Sequence, residues 1–120
     1  MVRDRFESAC KNGPQFWKAR KLLREAGFRP EFEVSFGPYR VDLLIRGLPA
    51  SKWRAFLRSK RRVRLFGRII GPIPPGHALA IEIDGPKHEG DFDSQRDAYL
   101  LEHHKVYVVR FDTSEIDAFR

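Results

Sequence analysis

The residues best suited to chemistry lie close together in one short run, Ile81-Glu82-Ile83-Asp84-Gly85-Pro86-Lys87-His88. Glu82 and Asp84 are two residues apart at the end of the most apolar stretch of the chain, so on a strand they project from one face. Two like charges side by side in apolar surroundings are costly unless a cation stands near, and either basic side chains or a metal must supply it. Asp42, between Val41 and Leu43, repeats the pattern 40 residues earlier. Three carboxylates meeting where water can reach them form an all-oxygen donor set of the kind that takes Mg²⁺ or Mn²⁺. Taken singly, each acid is better explained by an arginine partner or by an exposed strand end. Lys87 and His88 follow the paired acids directly and add a fixed positive charge and a group that titrates near neutrality.

The elements that must position these residues are readable from periodicity. Residues 14–26 open with Pro14, suited to a first helical turn, and close at Gly27, a C-terminal cap. Phe16, Ala19, Leu22, Leu23 and Ala26 form an apolar stripe at helical spacing, with a basic side facing away. From Glu31 the period changes to two, and Gly37-Pro38 turns the chain into Tyr39–Ile45, a β-hairpin that carries Asp42. Ala78–Asp84 is an apolar run consistent with a strand buried on both faces. Asp91–His104 is a helix with Ala98, Leu100 and Leu101 toward the core, and Lys105–Phe111 is a second strand. Strand, helix and strand in this order form a right-handed crossover with the two strands parallel. Thr113-Ser114-Glu115 starts a last short helical turn. Between hairpin and crossover lie residues 47–77, with a basic helix expected over roughly 50–60, a short strand over Val63–Ile70, and a Gly/Pro-rich loop from Gly71. The order α-β-β-(insert)-β-α-β describes an α/β fold, a mixed sheet of four to five strands flanked by helices.

At 120 residues the chain is one domain, residues 1–120, with a basic insert at about 47–77. The hydrophobic fraction of 42% argues against a disordered tail. No apolar run approaches a membrane span or a secretory signal, so a soluble, cytoplasmic protein with no membrane partner is expected. One cysteine and four histidines at scattered positions exclude an internal disulfide and a structural zinc site. Of the histidines, His103 and His104 end a helix, where positive charge is favourable, and His77 has no supporting neighbour. The net charge of +7 is unevenly divided: residues 1–70 carry 18 Lys+Arg against 6 Asp+Glu, whereas residues 71–120 carry 5 against 10. A basic majority beside an acidic third suits a polyanion-binding surface next to a cation-binding pocket. The insert supplies Lys52, Arg54, Arg58, Lys60, Arg61, Arg62, Arg64 and Arg68 without one acid, interleaved with Trp53, Phe56, Leu57 and Phe66. These cations repel one another unless a polyanion neutralises them, which points to phosphate contacts that weaken as salt rises. The apolar members either wedge against bases or pack the insert onto the sheet.

Taken in order, Tyr39-Arg40-Val41-Asp42, then Ala80-Ile81-Glu82-Ile83-Asp84-Gly85 with His88, then Gln95-Arg96-Asp97, then Val106-Tyr107-Val108-Val109-Arg110-Phe111, resemble the PD-(D/E)XK nuclease superfamily. The nearest branch is the one related to the very-short-patch-repair endonuclease and the domain-of-unknown-function 559 proteins. The resemblance covers residues 14–46 and 78–116. It implies a restriction-endonuclease-like core, with Asp42 and Glu82 as metal ligands and Asp84 as a further ligand or acidic member of the pocket. Lys87 and His88 would lie near the scissile phosphate, and Gln95 would project from the following helix toward the same pocket. Three departures stand out. Asp84 occupies the place of the superfamily's lysine, the first helix offers Gln15 and Phe16 where relatives often carry a glutamate, and residues 47–77 replace a short connection.

The activity these residues imply is Mg²⁺- or Mn²⁺-dependent hydrolysis of DNA phosphodiesters, with no small-molecule cofactor. Cutting both strands at once would ask for two active sites, hence a homodimer. A nucleic-acid-binding module of the same fold in which catalysis has lapsed is the alternative, and a metal-dependent RNA nuclease is a third reading.

Overall fold

The computed structural model describes residues 13–47, 62–84 and 90–119, with the backbone alone for residues 84 and 90–93. Helix α1 (Gly13–Glu25) leads into the hairpin β1 (Glu31–Phe36) and β2 (Tyr39–Ile45). A second, small hairpin follows, β3 (Val63–Leu65) and β4 (Arg68–Ile70), then β5 (Ala78–Asp84), α2 (Gly90–His104), β6 (Val106–Asp112) and α3 (Thr113–Ala118). The main sheet has four strands in the order β1-β2-β5-β6. The first two junctions are antiparallel and β5–β6 is parallel, as the crossover requires. This is a mixed α/β architecture, a four-stranded mixed sheet flanked by helices. No helix among the described residues is long and apolar enough to cross a membrane. The basic helix expected over roughly 50–60 lies outside the described residues.

Each sheet face carries its own core. Leu43, Ile45, Leu79, Ile81, Ile83 and Phe111 meet Phe16, Ala19 and Leu23 of α1, Leu65 and Ile70 of the small hairpin and Ile116 of α3. On the other face Val41, Leu44, Ala80 and Val106 pack under Leu100 of α2. The central strand β5 is therefore buried on both sides, as its apolar run predicts. On α1 the buried stripe narrows to Phe16, Ala19 and Leu23, because Leu22 turns to the margin and Ala26 falls beyond the last helical residue.

Two elements differ from the sequence reading. Val63–Ile70 is a hairpin rather than one strand, turned by Phe66 (φ 48) and Gly67 (φ 80). Positive φ at both central positions is the turn that suits twisted hairpins, but it normally recruits Asn-Gly, and a phenylalanine there gives no sequence signal. Packing holds it in place, since the Phe66 ring lies edge-on to Phe111 at 5.0 Å. On α2, Leu100 is buried while Ala98 and Leu101 are exposed. The inward side of that helix is shared with Arg96 and Asp97, so its apolar residues alone mark the wrong stripe.

Helix α1 ends as its sequence predicts. Phe28 N–H bonds the Leu23 carbonyl at 2.9 Å and Gly27 N–H bonds that of Arg24 at 3.0 Å, with Gly27 at φ 98 and Phe28 packed in the same core as Leu23. This double closure with an apolar clasp uses a conformation only glycine adopts cheaply. Gly27→Ala is expected to lower the unfolding free energy by about 1–2 kcal/mol without altering the denaturant m-value, measurable by urea titration.

Candidate functional site

The β2–β5 ladder pairs Ile45 with Leu79, Leu44 with Ala80 and Leu43 with Ile81. One step further Asp42 faces Glu82, and there side chains replace the strand-to-strand bonds. The Glu82 carboxylate accepts the Asp42 backbone N–H at 2.7 Å, and the Asp42 carboxylate accepts the Ile83 N–H at 2.9 Å. Each acid thus satisfies a main-chain donor on the other's strand, which fixes both carboxylates at the opening of the sheet. Charge-assisted bonds of this kind are about twice as strong as neutral ones.

The neighbouring strand is distorted at the same level. The β1–β2 register is constant, Phe32 opposite Leu43 and Val34 opposite Val41, which sets Glu33 opposite Asp42. Glu33 has φ 55, a left-handed conformation unusual in a strand. Across it the alternation slips: Phe32 and Leu43 pack with α1, whereas Val34 and Val41 pack with α2. The slip lets Val41 and Leu43 be buried on opposite faces while Asp42, half-buried between them, turns its carboxylate to β5. Glu33 is itself buried and paired with Arg40 at 3.1 Å.

Glu82 is 4% exposed, and the cation it needs comes from α2. Arg96 Nη1 lies 3.0 Å from its Oε1. Beside this pair, Asp97 receives both terminal nitrogens of Arg110 at 2.6 and 2.9 Å. Glu82 and Arg110 are register partners on β5 and β6, so two adjacent helix residues of opposite sign meet two adjacent strand residues of opposite sign. The helical step of about 100° between residues 96 and 97 directs one to each strand. Arg96, Asp97 and Arg110 belong to the motif quoted from the sequence but were not among its site residues. The available signal was a consecutive Arg-Asp four and three residues before the one buried leucine of the helix.

The other expected residues divide. Asp42 and Glu82 come together. Asp84 continues β5 in register with Asp112, but its side chain, like Lys87 and His88, lies outside the described residues. Gln95 is exposed on α2, and Arg96 is the helix residue that reaches Glu82. Gln15, on α1, bonds both carboxylate oxygens of Asp117 at 2.9 Å and so is tied to α3. Of the insert, Lys52, Arg54, Arg58, Lys60 and Arg61 lie outside the described residues, while Arg62 and Arg64 are exposed at β3. Arg68 is turned inward. It donates to the Arg110 carbonyl, stands 3.8 Å from Glu115 and lies 4.1 Å over the Phe111 ring, and so ties the small hairpin to β6 and α3.

The donor chemistry at the sheet opening is carboxylate oxygen, which suits Mg²⁺ or Mn²⁺. Among the described residues no group of three His, Cys, Asp or Glu could hold a metal ion, and Arg96 brings a positive charge to Glu82. A divalent ion bound between them would have to share Glu82 with that guanidinium or displace it.

Comparison with protein-family models, with curated proteins and with solved structures finds no match to this chain.

Arg96 and Glu82 are both largely buried, with side chains 12% and 6% exposed. Removing one partner of such a pair strands the other's charge. Arg96→Met is expected to destabilise the fold by about 3 kcal/mol, and Arg96→Met combined with Glu82→Gln to recover most of that loss. Chemical denaturation of the two single variants and the double variant measures the coupling.

Proposed function

We propose that this chain is a metal-dependent DNA endonuclease with a restriction-endonuclease-like core, of the PD-(D/E)XK type and similar to the very-short-patch-repair branch. The observation that carries the proposal is the meeting of Asp42 and Glu82. Two acids 40 residues apart, singled out by sequence, exchange backbone hydrogen bonds at the opening between β2 and β5. Threonine or asparagine could accept the same amide bonds, whereas two neighbouring carboxylates call for positive charge, part of which Arg96 brings to Glu82.

In this reading Asp42 and Glu82 hold Mg²⁺ or Mn²⁺, with Asp84 as a further oxygen donor. When bound, the ion supplies Lewis-acid stabilisation of the phosphorane-like transition state and lowers the pKa of a ligated water. The protein's part is positional. The reciprocal bonds hold the two carboxylates in fixed relation to each other. Lys87 stabilises charge on the scissile phosphate from a place shifted relative to the usual lysine, and His88 relays a proton or orients water. Gln95 stands beside the pocket on α2. Arg96 neutralises Glu82 when no divalent ion is bound. The cations of the insert, Lys52 to Arg64, grip the DNA backbone, whereas the inward contacts of Arg68 suit a structural role. Action in the cytoplasm, and a homodimer where both strands are cut, belong to the same proposal.

A specific observation favours the second reading, a nucleic-acid-binding module of lapsed activity. Arg96 already supplies Glu82 with a cation, Asp84 replaces the motif lysine, and Gln15 is committed to Asp117.

Supercoiled plasmid separates the two. An endonuclease nicks or linearises it with Mg²⁺ or Mn²⁺ and stops on chelation, and Asp42→Asn or Glu82→Gln lowers the rate about a hundredfold or more. DNA retained on the protein with no cleavage under either metal identifies the binding module.

A further inference from the structure

A further basic surface lies where α1 turns back into β1. Arg20 and Arg24 stand one helical turn apart, about 6 Å along the axis. The capped turn through Gly27 and Phe28 then reverses the chain and brings Arg29 to the same side. Two concavities that share Arg20 and Pro30 result. One, of about 580 Å³, is lined by Arg20, Arg24 and Arg29; the other, of about 560 Å³, runs along the β1 edge to Glu33 and Ser35.

The electrostatics of this groove are one-sided. Its two acids are already matched, Glu31 by Arg46 at 2.6 Å and Glu33 by Arg40 at 3.1 Å. Among the described residues no carboxylate pairs with Arg20, Arg24 or Arg29, so three guanidiniums remain uncompensated. Arg20 is also held in place. Its guanidinium lies 5.8 Å from the Trp17 ring centre and 5.7 Å from that of Phe32, and its Nε is buried with no hydrogen-bond partner. A cation fixed by two aromatic rings has lost little of its remaining freedom on meeting an anion. Trp17, 40% exposed, lies beside Arg20, where a base or sugar can meet its ring. The groove is too large for one phosphate ion, and its Glu33 end lies one strand from Asp42.

We propose that this groove is a second nucleic-acid contact, in which Arg20, Arg24 and Arg29 hold consecutive backbone phosphates and Trp17 meets the strand. It rests on the nuclease or binding reading only in taking nucleic acid as the polyanion.

The test uses the full-length protein with EDTA, so that cleavage plays no part and a failure of catalysis leaves it unaffected. A labelled 16-nucleotide DNA is titrated, single-stranded and duplex in separate arms, and the affinity is followed against salt. Arg24→Ala/Arg29→Ala, at exposed positions, is expected to keep the circular dichroism spectrum. It should reduce the duplex log–log salt slope by about 1.8 and weaken duplex binding about 60-fold near 0.1 M salt; for the single strand the slope falls by about 1.4. The arm with the larger loss identifies the form the groove takes. In a Trp53→Phe background, where Trp17 is the one tryptophan left, emission should shift or quench on binding. An unchanged slope in the double variant overturns the proposal. So does binding seen by anisotropy while Trp17 emission stays constant, or no binding in either arm.

Discussion

Everything at the centre of this molecule depends on the exchange of hydrogen bonds between Asp42 and Glu82. In a regular sheet the Asp42 and Ile83 amides would bond to carbonyls across the ladder; here they bond to carboxylates. Such an arrangement satisfies the buried main-chain donors and brings two negative charges together in a setting where each is costly without a cation. The features around it answer that cost or make room for it. Glu33 takes a left-handed conformation and shifts the alternation of the hairpin, so that Asp42 can reach β5 while its apolar neighbours remain buried. Arg96 comes down from α2 onto Glu82, and Asp97 with Arg110 completes a block of alternating charge.

That block also explains why α2 has its character. A helix that packed on the sheet only through apolar contacts would need more than Leu100 on its buried side. Among the described residues, α2 is docked by one leucine, partly buried Tyr99, and two arginine–carboxylate pairs. Buried ion pairs seldom add net stability over apolar packing, but they impose a unique register on the elements they join. The same guanidinium that docks the helix occupies the carboxylate that the proposed metal would share. Under the proposed function, the Arg96 pair and a divalent ion would compete for Glu82, and exchange of one for the other would be felt at α2.

Much of this was legible in the chain. The bounds of β1, β2 and β5, the glycine cap of α1 and the parallel crossover follow from period, turn residues and connection length, because each rests on local physics. The pairing of Asp42 with Glu82 was legible for a related reason: an acid inside an apolar strand has few places to go. What escaped was decided by tertiary contact. The slip at Glu33 has no signal, since glutamate is a poor choice for a left-handed residue and is held by Arg40. The inward side of α2 was misplaced because it is built from Arg96 and Asp97, which a hydrophobic pattern counts as outward. Arg68 looked like its basic neighbours and instead ties the small hairpin to β6 and α3, a role that depends on where Phe111 and Glu115 arrive.

The most direct test of the central claim is anomalous diffraction from crystals grown or soaked with Mn²⁺. The account predicts a peak within about 2.0–2.3 Å of carboxylate oxygens from both Asp42 and Glu82, with Arg96 drawn away from Glu82. A lattice that admits Mn²⁺ at other sites, yet shows Arg96 still seated on Glu82 and no density between the two acids, would contradict it.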